Sequence, residues 1–591
     1  MKPIRKKIVA AVTSLVLAGA MLTGCSATTA SPAASEETAV AAAYVDGAQT
    51  AEAVLAANTA VHTADAGYDA STAAGITLTG SSATVDGDGV TVDGGTVTIT
   101  ASGTYRISGT LTDGQIVVAA DGATVTLVLD GATISSSSTA AIAVTAAERV
   151  VVVLADGTTS TLSDTSAYAA DADVNAALFS AADLTIAGAG ALVVHGNGND
   201  GIAGKDGLLI TAGTITVEAA DDGIRGKDYL AVTGGAITVT AGGDGLKADN
   251  DTAADAGYVL VSGGTVTATA GGDGVDAVTD VVLTGGTVTV TAGGGHGAQA
   301  SEDTSTKGVK SGVVTVLEGG TVAADAADDA VHSDGSVHLS GATVTLAAGD
   351  DAVHAENALV VDGGAVEVST SGEGLEAADI TVAAGSVHVV ADDDGLNASG
   401  GTSTGGGRGG EMAAGDFSVT VTGGTLVIDA NGDGLDSNGT ATISGGTVVV
   451  NGPAGQGNGA LDVNGTLTVT GGVLVAAGSS GTAVAPSADS AQGWVSVTFD
   501  STVAAGTTLQ LTDADGTVVA TFTTSKDLQN LVFSSERITS GEEYTVYRGG
   551  SASGGSTGGL AGAGELGSAT QVATATAGEA PAGGHGPGPR G

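Results

Sequence analysis

One acidic phrase recurs along this chain at a near-constant step, and that step limits the folds open to it. Asp200-Gly201-Ile202 returns as Asp222-Gly223-Ile224, Asp244-Gly245-Leu246, Asp273-Gly274-Val275, Asp329-Ala330-Val331, Asp351-Ala352-Val353, Glu373-Gly374-Leu375, Asp394-Gly395-Leu396 and Asp433-Gly434-Leu435, mostly 21 or 22 residues apart. A second phrase, two glycines before Thr or Ala and an apolar residue, keeps the same step, for example at Gly234-Gly235, Gly263-Gly264, Gly285-Gly286 and Gly363-Gly364. A period of this length marks a stacked repeat, in which each unit buries its apolar face only against its neighbours. Within a unit, "GLKA", "YVLVSG" and "GTVTATA" are alternating segments bounded by glycine or aspartate, so a unit holds three short strands and no helix.

Three strands in about 22 residues are too few for a propeller blade but suffice for one triangular coil, stacked on the next at about 4.8 Å. The predicted fold is therefore all-β: a right-handed, single-stranded parallel β-helix over residues 76–478, with a small C-terminal β cap or module over 479–548. Leucine-rich repeats share the period, but their Leu/Asn signature and helical segment are missing. Polar inserts such as "NDTAADAG" (250–257) and "GGTSTGGGRGGEM" (400–412) lengthen single coils. The Gly/Ala-rich stretch 549–591 reads as a disordered tail.

The N-terminus predicts the compartment. "MKPIRKK" followed by "IVAAVTSLVLAGAM" has the charge and length of an export signal, residues 1–24, too short to span a bilayer. It ends in "LTGC", which looks like a bacterial lipobox and predicts lipidation of Cys25, the chain's single cysteine. Residues 25–75, rich in Ala, Ser, Thr and Glu, read as a flexible stalk. The protein is thus expected to be extracytoplasmic, held at the cell surface by a lipid anchor alone, and monomeric. Nucleic acid is excluded as a partner by 65 acidic against 17 basic residues, a net charge of −48.

In a stacked coil, residues one period apart lie above one another, so the repeated acids form a ladder of like charges about 5 Å apart, which destabilises the stack unless offset. Three devices can offset it: capping of backbone amides beside the glycine, Lys or Arg partners, and Ca²⁺ with its preference for carboxylate and carbonyl oxygens. Turn capping accounts for most of these acids, and calcium is the expected addition where they cluster, at Asp222, Asp244, Asp249, Asp273 and Asp276, with Asp433 and Asp436 as a second set. "DANGDGLDSNGT" (429–440) starts like an EF-hand loop but ends on Thr440 in place of the bidentate Glu, and "GGDGVDAV" (271–278) matches a calcium nonapeptide only once.

The phrases "GTYRISGTLTDGQIVV", "DGIAGKDGLLI", "DDGIRGKDYL" and "GDGLKADN" give the chain, over roughly Ile76 to Gly550, a likeness to a known family. In them it resembles the bacterial carbohydrate-binding domain proteins, exported calcium-containing β-helices related in fold to pectate lyases. The resemblance implies binding of plant cell-wall or acidic polysaccharide, polygalacturonate or cellulose. Aromatics make up only 2% of the chain, too few for the ring platforms that grip crystalline cellulose, which favours an anionic glycan. The residue three after each ladder acid points outward, and Lys205, Arg225, Lys227 and Lys247 gather on one face of three coils. They either neutralise neighbouring acids or bind uronate carboxylates. His332 and His354 also stack, and read as solvated surface residues. A binding protein without catalysis is the expected class. The alternatives are a calcium-dependent polysaccharide lyase, with Arg225 as its base, and a purely structural stalk or adhesin.

Overall fold

The structure is a computed structural model that describes residues 47–63, 67–68, 71–300, 303–400 and 414–580. The expected signal segment and the expected lipidation site, Cys25, lie outside the described residues. No helix among these is long and apolar enough to cross a membrane.

Among the described residues the protein is all-β apart from one short helix, and 44 of the strands join in one hydrogen-bonded sheet. Through most of that sheet each strand pairs in parallel with the third strand after it. Ile224–Gly226 pairs with Leu246–Ala248, which pairs with Val275–Ala277, and the two other strands of each coil do likewise. The repeat is therefore a stack of three-strand coils. Inward Ile, Leu and Val from every coil, among them Ile202, Ile224, Leu246 and Val275, form one continuous core along the stack. After most ladder acids the next residue is a glycine for packing reasons: a Cβ at Gly223 would collide with the Val239 side chain and stand 2.7 Å from the Gly245 carbonyl oxygen, whereas the coils of Asp329 and Asp351 accommodate the buried Ala330 and Ala352 at this position. The second glycine of the paired phrase answers to the backbone instead, with φ +80° at Gly264.

Antiparallel pairs interrupt the parallel stack at both ends, so its parallel ladder does not run on unbroken to an open edge there. Ala74–Gly80 pairs with Ala83–Asp86 and Val90–Asp93 with Thr96–Ile99 at the start. At the far end Leu528–Ser534 lies antiparallel between the last stack strand, Val473–Gly478, and Trp494–Val503.

Two sequence expectations need correction. The tail 549–591 contains strands Ser551–Thr557, Leu560–Glu565 and Thr570–Thr576, which complete a six-stranded sheet with Thr508–Thr512, Val518–Thr523 and Glu543–Arg548. Small residues suffice there because Leu560, Ala573 and Ala575 pack on a core supplied by Leu509, Phe522 and Tyr544. The stalk 25–75 contains helix Ala51–Ala57, capped by Thr50, whose Oγ1 accepts from the Ala53 amide at 3.2 Å. This helix lays Ala51 and Val54 on an outward apolar column, Leu209, Ala231, Leu260, Val282 and Val316. Behind it, the His62 ring is fixed by the Tyr229 hydroxyl at 2.6 Å and Thr185 Oγ1 at 2.8 Å.

Candidate functional site

Each coil presents three outward sides, and they differ. One is covered by the N-terminal helix. A second carries the strands Thr214–Ala219, Ala236–Ala241, Thr265–Ala270, Thr287–Ala292, Thr321–Ala326 and Thr343–Ala348, whose outward positions are mostly threonine. Thr216, Thr238, Thr267 and Thr289 stand in register across four coils. Further along the same side the outward residues turn to Val427, Val449 and Val475, and the C-terminal sheet packs there. The third side is the turn bearing the acidic phrase.

On that turn the ladder acids cap amides, but those of the next coil and not of their own turn. Asp200 Oδ1 accepts from the Asp222 amide at 3.3 Å, Asp222 Oδ1 from Asp244 at 2.9 Å, Asp244 Oδ1 from Asp273 at 2.7 Å, and Asp273 Oδ1 from Lys307 at 2.7 Å. Asp329, Asp394 and Asp433 do the same for Asp351, Asp433 and Gly459. The other oxygen, Oδ2, meets the column three residues on. Lys247 Nζ lies 2.6 Å from Asp244 Oδ2 and 3.4 Å from Asp222 Oδ2, and Lys310 Nζ lies 3.3 Å from Asp273 Oδ2. Arg225 joins Asp200 at 3.5 Å and makes a closer pair with Asp249.

The column reads Arg225, Lys247, Asp276, Lys310, His332, His354, Glu376, Asn397, Asp436 and Asp462 in unbroken register. Of the four predicted glycan-binding cations, Arg225 and Lys247 are therefore committed to the chain's own acids. Burial disfavours the Lys247 ammonium, but Asp244 and Asp222 more than reverse this and hold it above the usual lysine range. Lys205 is exposed and Lys227 half-buried, and no carboxylate lies within ion-pair distance of either among the described residues. Lys307 and Lys310 escaped the sequence reading because "KGVKS" (307–311) puts lysine where the ladder expects aspartate. Gly308-Val309 and the glycine pair Gly319-Gly320 carry the missing coil's signature.

The predicted calcium residues separate accordingly. Asp222, Asp244, Asp273 and Asp276 surround Lys247 and Lys310, and Asp249 holds Arg225, so side-chain cations already occupy this cluster. Asp433 and Asp436 have no Lys or Arg within ion-pair distance among the described residues. Burial, then the charges of Asp394 and Asp462, push Asp436 up to about 8. Burial and neighbouring acids raise Asp394 to about 7, and burial raises Asp433 to about 6. Between the two stretches, side chains close enough to share a metal are Asp329, Asp351 and His354; Asp328, Asp329 and Asp350; and Asp351, Glu373 and Glu376. His332 and His354 are not solvated as expected: their side chains are 13% and 21% exposed, and the rings stack at 4.9 Å, 8° from parallel.

No curated protein matches the chain. A solved structure titled as the polysaccharide lyase-like protein from C. thermocellum, a gadolinium derivative, is 38% identical, with a TM-score of 0.37, over 38% of this chain and 92% of that one. Residues 93–352, which include the ladder from Asp200 to Asp351 and its cation column, match the model of the family described as carbohydrate-binding domain-containing protein.

Proposed function

We propose that the chain is a lipid-anchored, extracytoplasmic carbohydrate-binding protein whose stack is a right-handed parallel β-helix. The family match over 93–352 carries the reading. Parallel strands joined by crossovers are right-handed in about 98% of cases, which supports the hand. The lipobox at Cys25 supports a membrane attachment through lipid alone, and the antiparallel pairs at both ends of the stack support a monomer.

The polysaccharide lies across the threonine side, within the matched segment. Arg225 and Lys247 are engaged by their own acids, so the turn column has little positive charge to offer an anionic polymer. The threonine side offers hydroxyls repeating at about 4.8 Å between strands and about 6.8 Å along them, a flat lattice that exchanges hydrogen bonds with sugar hydroxyls. Calcium belongs at the upper turn column, where Asp433 and Asp436 stack with Asp394 and Asp462; these are not among the described side chains already close enough to share a metal, so binding draws their oxygens together. The fit rests on hard carboxylate oxygens that burial, joined by neighbouring acids at Asp394, Asp433 and Asp436, pushes above the usual carboxylate range, a cost that a divalent cation would relieve. Binding without cleavage is favoured because Arg225, the candidate base, is held as a cation by Asp249 and Asp200 against the pull of burial.

A pull-down on insoluble cell-wall polysaccharides tests this reading. The triple variant Thr238→Val, Thr267→Val, Thr289→Val keeps shape and removes hydroxyls, so retention should fall at least tenfold, whereas Arg225→Gln should leave it unchanged. The reverse pattern moves the site to the turn column. Unsaturated-product absorbance on polygalacturonate would replace the binding protein by a lyase.

A further inference from the structure

We propose that His354, Asp351, Glu376 and Glu373 form a site for a divalent transition metal of zinc's class, independent of the calcium and glycan readings. His354 Nδ1 stands 2.9 Å from Asp351 Oδ2 and 3.2 Å from Glu376 Oε2. Zinc bonds nitrogen and oxygen ligands at about 2.0–2.1 Å in a tetrahedron, whose edges are then about 3.3 Å. The gaps around Nδ1 are thus close to those of a tetrahedral ligand set. Glu373 supplies the fourth ligand, since it, Asp351 and Glu376 bring one oxygen each within 4.8 Å of one another.

The surroundings of these side chains look like a ligand support. Ser399 Oγ donates to Glu376 Oε1 at 2.6 Å, so that glutamate is oriented through the oxygen that does not face His354, and Asn397 Nδ2 donates to Glu373 Oε2 at 2.7 Å, which fixes the second glutamate. The His354 ring is held flat against His332, which fixes the direction in which its Nδ1 points its proton at the two carboxylates, the proton that a metal would replace. Charge points the same way. In the coils below, Lys247, Lys307 and Lys310 sit on the ladder acids, but no Lys or Arg pairs with Asp351, Glu373 or Glu376 among the described residues. Three carboxylates then face one imidazole, an excess that a dication offsets. The imidazole sets the class of metal: calcium prefers all-oxygen shells, whereas an imidazole with carboxylates suits zinc and its neighbours.

The test uses the full-length protein, stripped of metal and titrated with Zn²⁺ or Co²⁺. One equivalent of zinc should raise the melting temperature, and cobalt should give the visible absorption of a four-coordinate nitrogen and oxygen site. His354→Gln and Glu376→Gln should abolish both signals, and Ser399→Ala, which leaves every ligand in place, should weaken zinc about tenfold. Equimolar calcium should not displace cobalt. A wild-type protein without the cobalt spectrum, a zinc response that survives His354→Gln, or displacement by calcium would each overturn the proposal. Should His354→Gln fail to fold, the wild-type spectrum and Ser399→Ala still decide it.

Discussion

From Asp200 to Lys310 the turn column interleaves acids with Arg225, Lys247 and Lys310, while from Glu373 to Asp462 it stacks acids and one asparagine over the same backbone geometry. In the first stretch the lysines are held above their usual range by the acids they touch. In the second the acids themselves are pushed up, Asp436 to about 8 and Asp394 to about 7. One fold therefore tolerates a buried charge ladder in two ways, by internal counter-ions or by carboxyls that hold their protons to higher pH. His332 and His354 lie at the changeover, each against the acid three residues before it.

The largest effect that would break this contrast is the loss of an internal counter-ion. Lys247→Met leaves Asp222 and Asp244 around an apolar side chain without a Lys or Arg at ion-pair distance among the described residues, while Asp276 keeps only Lys310. Removing one partner of a buried pair costs about 3–5 kcal/mol, and with Lys247 a quarter exposed the loss should sit at the low end, about 3 kcal/mol in urea unfolding at pH 7. A loss under 1 kcal/mol would show that solvent screens the column and that its cations are decoration.

Much of this architecture was legible in the sequence. The 22-residue step and the glycine phrases gave the three-strand coils and the stacked acids, because in a stack the period is the register. What the sequence hid was the use of each carboxylate oxygen. Capping one's own turn and capping the next coil need the same Asp-Gly phrase, and only the fold shows that Oδ1 reaches the amide 22 or more residues ahead. Lys310 was hidden because its coil carries Lys307 in the acid position, so a search for acids skipped the coil and left the Asp273 and Asp276 cluster looking uncompensated. The structured parts of the stalk and tail were hidden for a different reason. Ala51, Val54 and Ala573 are small, and their burial depends on apolar surface presented by distant residues, which local composition does not report.

The upper stretch should respond in the opposite sense. Asp394, Asp433 and Asp436 have folded-state pKa values above those of an unfolded chain, so folding takes up protons between about pH 4 and pH 8. Their contribution is fully favourable below about pH 4 and is lost as pH rises through about 6 to 8. In chelator, Asp436→Asn should therefore stabilise the protein at pH 8 by on the order of 2 kcal/mol and change it little at pH 4, where both side chains are neutral. With calcium the same variant should lose part of the metal-dependent rise in melting temperature. A variant that destabilises at pH 8 in chelator would mean that the Asp436 carboxylate already has a cation there.

The smallest expected effect sharpens the comparison from the other side. Lys205 and Lys227 lie beside the compensated stretch, one exposed and one half-buried, with no carboxylate at ion-pair distance among the described residues, so their charges stabilise nothing that the fold requires. Lys205→Gln with Lys227→Gln should shift stability by no more than about 0.5 kcal/mol, against about 3 kcal/mol for Lys247 alone. They are also the predicted cations still able to reach a ligand. If an anionic polysaccharide binds the turn column at all, this double variant should weaken that binding and flatten its dependence on salt, while retention on a neutral polymer through the threonine side stays as it was. A double variant that binds polygalacturonate with unchanged affinity and salt dependence would remove the last basic contact from the turn column and leave its cations with one role, holding the acid ladder together.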